Sequence, residues 1–291
     1  MSNEILIVGA GIAGAFAAER LAAAGRPVRV LEARPRVGGR AYARPFGGGA
    51  GEPLEMGGAW ILAKHRRLLQ AAERLGLAWR PRTPVTSRRW LRPDGLQEDG
   101  PVGEGERARH QAAMAQLVSD ALARAGGQVH DGAGRPLEGV SFAAYLDRIE
   151  APAATRDLLG AWWCVSGNGA WDRIPASEFL SSCAYGDGTP DSMISVWDRS
   201  LAGGMDRLVS GLLAQPGVTL ECAAPVAALR RTHDGVEATL ADGSPRQGAA
   251  AILATGLNLL ASVACEPALP AAQQAAVRRG HEGRSLKLWA E

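Results

Sequence analysis

The amino-acid sequence predicts an α/β fold in which one domain is assembled from two separate pieces of the chain. A buried strand, a glycine-rich turn and an alanine-rich helix follow one another near the N-terminus, and a second apolar strand comes after the helix. A block of helical pattern follows, and short strands with turn signals return near residue 218. We therefore expect one domain from residues 1–80 and 200–262. A partly helical α+β domain, from residues 81–199 and 263–291, is inserted into it.

The composition is typical of a soluble globular protein. Of the 291 residues, 46% are hydrophobic and 21% are charged, so the chain can bury a core of good size. Its 32 basic and 30 acidic residues give a formal net charge of +2, which gives no reason to expect nucleic acid or an anionic membrane as a partner. No apolar run is long enough to span a bilayer and no signal-peptide pattern precedes the first strand. We therefore expect a cytoplasmic protein.

The cysteines give no sign of a metal site. The four of them, Cys164, Cys183, Cys222 and Cys265, lie far apart in the sequence and lack C-x-x-C spacing. We therefore expect no bound metal and interpret these residues as buried, reduced thiols.

The N-terminal elements follow directly from local sequence. Ile5–Val8 is a continuous apolar run, which is typical of a buried parallel strand. Because alanine has the highest helix propensity, a helix is predicted over residues 13–24, with Gly25 directly after its end. A second strand is predicted over residues 28–31. Together these elements form a β-α-β opening of the usual length.

Apolar periodicity and turn residues predict the remaining elements. Ser141 is a good N-cap for one further helix. Other helices are predicted over residues 65–75, 104–125, 155–163 and 205–214. Strands are predicted over residues 218–220, 226–231, 236–240 and 250–254.

The turn between the first strand and the first helix fits the pattern G-x-G-x-x-G, with glycines at Gly9, Gly11 and Gly14. Gly9 permits a tight turn, Gly11 lets a pyrophosphate approach the backbone, and Gly14 lets the helix pack on the strand. The N-terminus of the helix then presents free N–H groups and the positive end of its dipole to the phosphates. Such a motif alone can also be a plain turn, so the flanking elements decide its meaning.

An acidic residue completes the dinucleotide-binding pattern. Glu32 lies at the end of the second predicted strand, where its carboxylate can accept hydrogen bonds from the ribose of an adenosine. A negative charge at this place disfavours a 2′-phosphate and therefore disfavours NADP. Strand, glycine turn, helix and acid together predict a Rossmann-like dinucleotide-binding domain of the FAD or NAD(P) type.

The next segment extends this site with basic and glycine residues. Arg34, Arg36 and Arg40 can supply positive charge and bidentate donors to a pyrophosphate. The pair Gly38–Gly39 lies among them and allows a close approach of the backbone. A second pair, Gly57–Gly58, stands before an aromatic residue. The alternative interpretation is a basic, solvated, glycine-rich loop.

Together, these motifs resemble the flavin-containing amine oxidase family, which includes monoamine, polyamine and L-amino-acid oxidases. The resemblance rests on the run Ile5–Arg40 and on Met56–Ile61. Leu201–Leu208 is similar to the family's G-G-x-x-x-L helix start, and Ala224–Val226 to the strand whose backbone meets the adenine. Ala251–Leu260 is similar to the strand and turn that return to the second domain, with a glycine where many relatives have proline.

The resemblance implies that the cofactor is FAD, that the inserted domain binds the substrate, and that residues 58–60 pass near the isoalloxazine ring. The residues that it places at the FAD are Gly9, Gly11, Ile12, Ala13, Gly14, Glu32, Ala33, Arg34, Gly38, Gly39, Arg40, Met56, Gly57, Gly58, Ala59, Trp60, Val226, Ala254 and Thr255.

The resemblance also implies a catalytic lysine near flavin N5, linked to it through a water, on a strand late in the chain. The segment Arg284–Trp289 fits that strand, and alternation places Lys287 on the face opposite Leu286 and Leu288. A lysine in an apolar pocket has its charged form disfavoured, which suits orienting a water or assisting flavin reoxidation. The alternative is an ordinary surface lysine on an edge strand.

The activity that the resemblance implies is oxidation of an amine or amino acid by hydride transfer to flavin N5, with oxygen as acceptor and hydrogen peroxide as product. One alternative is a flavin-dependent desaturase or porphyrinogen-type oxidase, and another is a non-catalytic FAD-binding subunit. The expected partner is a small-molecule amine or amino acid, and a homodimer stays open. Trp162, Trp163, Trp171 and Trp197 fit a substrate pocket or, more commonly, a core. Because the family continues well beyond Glu291, we interpret the chain as C-terminally truncated.

Overall fold

A computed structural model of the chain describes residues 3–45, 53–84, 86–87, 89–92, 95–98, 100–184, 199–281, 283 and 285–289. The strands are β1 (Ile5–Val8), β2 (Val28–Leu31), β3 (Ala43–Arg44), β4 (Leu54–Glu55), β5 (Trp79–Pro81), β6 (Trp90–Arg92), β7 (Gly95–Gln97), β8 (Arg199–Leu201), β9 (Val218–Glu221), β10 (Val226–Thr232), β11 (Gly235–Leu240), β12 (Pro245–Gly248), β13 (Ala250–Leu253) and β14 (Ala264–Glu266). The helices are α1 (Ile12–Ala23), α2 (Arg66–Arg74), α3 (Arg107–Ala125), α4 (Phe142–Arg148), α5 (Ala153–Gly167), α6 (Ala176–Ala184), α7 (Asp206–Leu213), α8 (Leu257–Leu260) and α9 (Ala271–Arg279).

The chain divides into two compact units. The first comprises Met1–Arg80, Arg199–His281 and Lys287–Glu291, and the second comprises Pro81–Asp198 and Glu282–Leu286. The mixture of parallel sheet and helices is the α/β class expected from the sequence.

The first unit is built on a parallel sheet with the strand order β13-β1-β2-β9. In its register Ile7 lies between Val30 and Ile252. Strand β1 is buried along its whole length, and successive side chains of a strand point to opposite faces. Ile7 joins a core with α1 and α7, whereas Leu6 joins a core with the second sheet. Because both faces are covered, a continuous apolar run is the sequence that this position requires.

The second sheet of this unit has the order β12-β11-β10-β14. Strands β10, β11 and β12 pair antiparallel, and β14 pairs parallel with β10. This pairing corrects one expectation about the domains. Residues 263–281, which the sequence assigned to the inserted domain, belong to the first unit because β14 completes its second sheet.

The second unit contains helices α3 to α6 around an aromatic core. The rings of Phe142 and Phe179 stack with centroids 3.8 Å apart, and Trp163 meets Phe179 edge-on at 5.0 Å. Such pairs add about 0.5–1.5 kcal/mol beyond the apolar area they bury. Ser141 caps α4 as predicted, since its Oγ accepts from the N–H of Ala144 at 3.2 Å. Trp163 is therefore a core residue.

Three sequence expectations were wrong or incomplete. Residues 285–289 form no strand, because no neighbour among the described residues pairs with them, and Leu286 and Leu288 are 81% and 80% exposed. Helices α6 and α9 and strands β12 and β14 are among the elements that were not predicted. Of the four cysteines only Cys183 is buried, whereas Cys164 and Cys222 are exposed.

The described residues contain neither a helix suited to crossing a membrane nor a cluster of metal-binding side chains. Within these ranges no helix combines the length and the apolar character that crossing a membrane requires. In the same part of the chain, no three His, Cys, Asp or Glu side chains lie together in a way that could hold a metal ion. Trp197 lies outside the described residues.

Candidate FAD site

The turn between β1 and α1 shows three different uses of glycine. Gly9 has a φ of +107°, which favours glycine, and a Cβ at this position would lie 3.0 Å from the oxygen of Ala254. A Cβ on Gly14 would lie 2.0 Å from the oxygen of Gly9, so only glycine lets α1 pack this closely on the turn. A Cβ on Gly11 would meet nothing within 4 Å. Gly11 therefore presents open backbone, which a phosphate group needs for close approach.

Glu32 is directed at this turn. It is only 6% exposed, at the end of β2. Its Oε2 accepts from the N–H of Ala10 at 2.8 Å, and its Oε1 accepts from the N–H of Arg34 at 2.9 Å. Each carboxylate oxygen has a further lone pair, so the group can also accept from a ribose hydroxyl. The two backbone bonds fix where that acceptor lies.

The arginine-flanked loop lies directly on the glycine turn. The N–H of Gly38 donates to the oxygen of Ala10 at 2.9 Å, and Gly38 and Gly11 form an isolated parallel bridge. A Cβ on Gly39 would lie 3.4 Å from the Cα of Gly11. The backbone of this loop is therefore within reach of anything that binds at Gly11.

The three arginines of this loop differ. The guanidinium of Arg36 donates to the carbonyls of Val37 and Gly39 and lies 3.8 Å above the ring of Tyr42. Arg36 thereby holds the loop in shape. Arg34 and Arg40 are exposed, and within the described residues their side chains make no hydrogen bond. These two are the guanidinium groups that remain available to an anion.

The second glycine pair is joined to the same loop. The N–H of Met56 donates to the oxygen of Tyr42 at 2.7 Å, and the N–H of Gly58 donates to the oxygen of Arg40 at 3.0 Å. A Cβ on Gly57 would lie 1.8 Å from the oxygen of Arg40, whereas a Cβ on Gly58 would meet nothing. The second pair thus repeats the arrangement of the first motif, with one glycine for packing and one beside open space.

Residues from the second half of the chain complete this region. The N–H of Ala254 donates to the oxygen of Val8 at 2.9 Å, which continues β13 beside β1. The side-chain oxygen of Thr255 is buried and has no partner among the described residues. The N–H of Ala224 donates to the oxygen of Glu32 at 2.8 Å, and Val226, at the start of β10, is 9% exposed.

The remaining predicted FAD contacts differ in location and in exposure. Ile12 and Ala13 form the first turn of α1, directly after the glycines, and Ala33 is exposed beside Glu32. Ala59 is buried, whereas Trp60 is 40% exposed. The sequence-predicted residues thus lie in one unit, and they come from five separate segments of the chain.

Lys287 lies against the second glycine pair. Its Nζ donates to the oxygen of Gly57 at 2.7 Å and to the oxygen of Glu55 at 3.0 Å. The indole N–H of Trp289 donates to the same oxygen of Glu55 at 3.1 Å. Lys287 is therefore beside the segment that the sequence placed at the flavin, although it reaches this place without the predicted strand. Partial burial lowers the pKa of its ammonium, and the carboxyl of Glu55 opposes this shift.

Sequence reasoning gave Glu55 no role, yet it is the buried acid of this region. It is 2% exposed, and its Oε1 accepts from the N–H of Met205 at 2.5 Å, just before α7. Its Oε2 and the Oδ1 of Asp206 are buried without a partner among the described residues. Burial raises the pKa of Glu55 most, against the Met205 N–H, and Asp206 raises it further. An acid in a glycine-rich segment was the available signal, but its partner is distant in sequence.

His65 makes a local hydrogen bond near this region. Its Nδ1 accepts from the N–H of Leu62 at 3.2 Å, directly before α2. This bond closes a local turn, so the role of the side chain is structural.

The comparisons with known proteins identify the family of the chain. A profile of the family described as flavin containing amine oxidoreductase matches residues 12–291. The chain belongs to this family, and its cofactor is a flavin. This family membership rests on nearly the whole chain.

Two curated relatives show how far the similarity extends. The chain is 29% identical over 294 residues to (S)-6-hydroxynicotine oxidase of Paenarthrobacter nicotinovorans. This alignment covers 98% of the chain and 67% of that protein. It is 29% identical over 314 residues to putrescine oxidase of Kocuria rosea, covering 99% of this chain and 63% of that protein. The chain therefore spans about two thirds of the length of these relatives.

Solved structures share the fold. A structure of putrescine oxidase bound to putrescine matches 96% of this chain and 63% of that chain, with a TM-score of 0.80 at 23% identity. Cyclohexylamine oxidase of Brevibacterium oxydans matches 96% of this chain and 63% of that chain, with a TM-score of 0.78 at 18% identity. At these identities the likeness concerns the fold alone.

The residues of the first unit fit a bound dinucleotide. Gly11 and Gly58 leave the space that a side chain would fill, and the carboxylate of Glu32 is fixed beside the first of them. Arg34 and Arg40 are exposed beside these positions, and they can balance the charge of a pyrophosphate. The buried, unpartnered oxygen of Thr255 is a further group that a ligand can satisfy.

Proposed function

We propose that this chain is the FAD-binding part of an oxidase that acts on the carbon next to an amine nitrogen. When bound, FAD supplies the acceptor for a hydride equivalent from that carbon, and dioxygen restores it with formation of hydrogen peroxide. The substrate is a small amine or amino acid, and the resulting imine is released and hydrolysed by water. The observation that carries the proposal is that the first glycine pair is bonded to the turn that faces Glu32, and that the second glycine pair is bonded to the loop that contains the first.

In this proposal, the chain's own residues bind and orient the cofactor. The open backbone at Gly11 and the N-terminus of α1 receive the pyrophosphate, with Arg34 and Arg40 as its cations. Glu32 accepts from the ribose, and its contacts with Ala10 and Arg34 hold it ready to do so. The start of β10 at Val226 lies next to the adenine.

The segment from Met56 to Trp60 lies along the reacting ring in this proposal. Open space at Gly58 allows a flat group to approach the backbone, and the half-exposed Trp60 has apolar surface to cover. Lys287 is held by the carbonyls of Gly57 and Glu55, and these two bonds leave its ammonium a third N–H. That N–H can hold a water at the ring.

The test is anaerobic reduction of the bound flavin. Purified protein loaded with FAD is mixed, without oxygen, with putrescine, (S)-6-hydroxynicotine, cyclohexylamine and a set of L-amino acids, and the visible flavin absorbance is followed. We expect one class of amine to bleach the flavin, and air to restore the colour with release of hydrogen peroxide.

Two results would contradict the proposal. Protein that takes up no FAD would remove its basis. Protein that binds FAD but is bleached by none of these compounds would instead favour a non-catalytic FAD-binding role.

A further inference from the structure

The lysine content of the chain makes Lys287 unusual. Of 32 basic residues, 30 are arginine, and Lys64 and Lys287 are the two lysines. Arginine stays charged and has a planar fork of donors, whereas a lysine ammonium is compact and its pKa shifts readily on burial. The groups around Lys287 can therefore control its charge, as they could not for an arginine at the same position.

The main chain of β4 and the turn after it receive this ammonium. The oxygens of Glu55 and Gly57 both accept from Nζ of Lys287, and the N–H of Trp289 shares the oxygen of Glu55. The ring of Trp289 lies 5.8 Å from the same Nζ, close enough for a weak cation–π contact. One residue, Glu55, therefore takes part in two of the three hydrogen bonds that hold this segment.

The side chain of Glu55 anchors that turn from the other side. Its buried carboxyl accepts from the N–H of Met205, where the chain enters α7, at a separation of 150 residues. A second carboxyl, Asp206, follows directly, and each acid has one buried oxygen without a partner among the described residues. Two carboxyl groups this close disfavour each other's charge, and a positive group nearby relieves this.

We propose that Glu55 is a positioning residue for Lys287: its main-chain oxygen receives the ammonium, and the carboxyl of the same residue supplies a nearby negative charge. The charged groups that act on Glu55 are Asp206 at the start of α7, Arg80 on β5 and Lys287 itself. Burial lowers the pKa of Lys287, and Glu55 works in the opposite direction. Its importance for catalysis rests on the proposed function, but the link between Glu55 and Lys287 does not.

The experiment measures the titration of Lys287 directly. The protein is treated at a series of pH values with a trace of an amine-acetylating reagent, and the labelling of Lys287 and Lys64 is quantified by mass spectrometry. Lys64 is exposed and serves as the internal reference. The variant Glu55→Gln keeps an oxygen for the N–H of Met205 and removes the charge. Glu73→Gln, on the exposed side of α2, is the matched control.

We expect Glu55→Gln to increase the labelling of Lys287 relative to Lys64 by at least about threefold below the lysine pKa, because loss of a nearby negative charge favours the neutral amine. Glu73→Gln should leave the ratio unchanged. Glu55→Asp keeps the charge but moves it by one methylene, so it should change the ratio in the same direction by a smaller amount. An unchanged titration of Lys287 in Glu55→Gln would overturn the proposal, as would equal shifts in Glu55→Gln and Glu55→Asp.

Two additions keep the outcomes separate. Should Glu55→Gln fail to fold, Glu55→Asp still moves the charge and should shift the titration of Lys287 by a smaller amount in the same direction, and no shift would count against the proposal. Labelling is then repeated with FAD, which should protect Lys287 and not Lys64 if the lysine lies at the flavin. If FAD does not protect Lys287 from labelling, while Glu55→Gln still changes the titration of Lys287, the proposed function is contradicted and the link between Glu55 and Lys287 is not.

Discussion

Asp120 in the helical unit and Glu55 in the first unit are equally buried carboxyl groups, but their hydrogen bonding differs. In the helical unit, Asp120 accepts from Gln116 Nε2, from the N–H of Gly132 and from the hydroxyl of Tyr145, all within 2.9 Å. In the first unit, Glu55 accepts one bond from Met205, and its other oxygen has no partner among the described residues. Buried polar groups normally find partners, so an incomplete one calls for an explanation.

The difference gives Asp120 and Glu55 different roles. Both Asp120 and Glu55 are 2% exposed, so burial alone does not distinguish them. What distinguishes them is the partner set. Asp120 is closed off within its own unit, whereas Glu55 lies beside Lys287 and the second glycine pair. We infer that acids like Asp120 contribute to stability and that Glu55 contributes to the site.

The largest effect is expected at Asp120. The variant Asp120→Ala leaves the hydroxyl of Tyr145 and the N–H of Gly132 without their acceptor, and should lower the free energy of unfolding by about 3 kcal/mol. Urea unfolding measures this. Asp157→Ala, at an exposed position on α5, should stay within about 0.5 kcal/mol. The FAD affinity of the folded Asp120→Ala variant should not change. A selective loss of FAD affinity would contradict the purely structural role of Asp120.

The next effect concerns Gly14. A Cβ there would lie 2.0 Å from the oxygen of Gly9, so Gly14→Ala must move the turn or the helix and should cost about 2 kcal/mol of stability. Gly103→Ala is the matched control, because a Cβ at Gly103 meets nothing within 4 Å and its φ is −69°. Both are compared by thermal unfolding with and without FAD. Equal stability of the two variants would contradict the packing role of Gly14.

The dependence of stability on pH should differ in sign between Asp131 and Glu55. Burial alone would raise the pKa of Asp131, but the N–H and guanidinium of Arg135 outweigh it and hold the pKa below the ordinary 3.8. Its contribution, about 1 kcal/mol, is present above pH 3.8 and is lost as the pH falls through the lowered pKa. Asp131→Asn should therefore be less stable than the unchanged protein at neutral pH, and the gap should close in acid.

Glu55 should behave in the opposite way. Its pKa lies above the ordinary 4.5, chiefly because of burial, so the folded state binds its proton more readily than the unfolded state does. Its contribution is present below pH 4.5 and is lost as the pH rises through the raised pKa. As the pH rises through that pKa, Glu55→Gln should therefore become more stable relative to the unchanged protein. A gap that stays constant across the pH series would show that burial does not shift the Glu55 carboxyl.

The smallest effect is a change in the reactivity of Cys222. This exposed thiol follows β9, and its pKa is raised by burial and by the charge of Glu32. If adenosine binds beside Glu32, FAD should slow alkylation of Cys222 by about threefold, since access to the thiolate controls the rate. Cys164, exposed in the other unit, is the internal control. Equal protection of both thiols, or of neither, would place the nucleotide elsewhere.

Local signals predicted the β-α-β opening of the first unit well. The strands β1 and β2 agree with their predicted bounds, and α1 begins one residue earlier than expected, because an apolar run, a glycine turn and alanine-rich sequence act over short distances. The glycine pattern also indicated which positions pack and which stay open, since a missing Cβ has a fixed steric meaning. Here the sequence alone was sufficient.

Distant contacts explain what the sequence did not reveal. The role of Glu55 depends on Met205, 150 residues away, and no local pattern encodes that pair. The predicted strand at 284–289 had alternating residues but has no pairing neighbour among the described residues, and pairing is what defines a strand. β14 was missed because its pairing with β10 is long-range.

The most direct test of the account is a titration of flavin-free protein with FAD, followed by flavin fluorescence. The account predicts one FAD per chain, and an affinity at least about tenfold lower in Glu32→Gln, because the new amide cannot accept from both Ala10 and Arg34. The exposed control Glu266→Gln should bind FAD like the unchanged protein. Failure to bind FAD, or equal affinity in Glu32→Gln, would contradict the central claim that this turn holds the nucleotide.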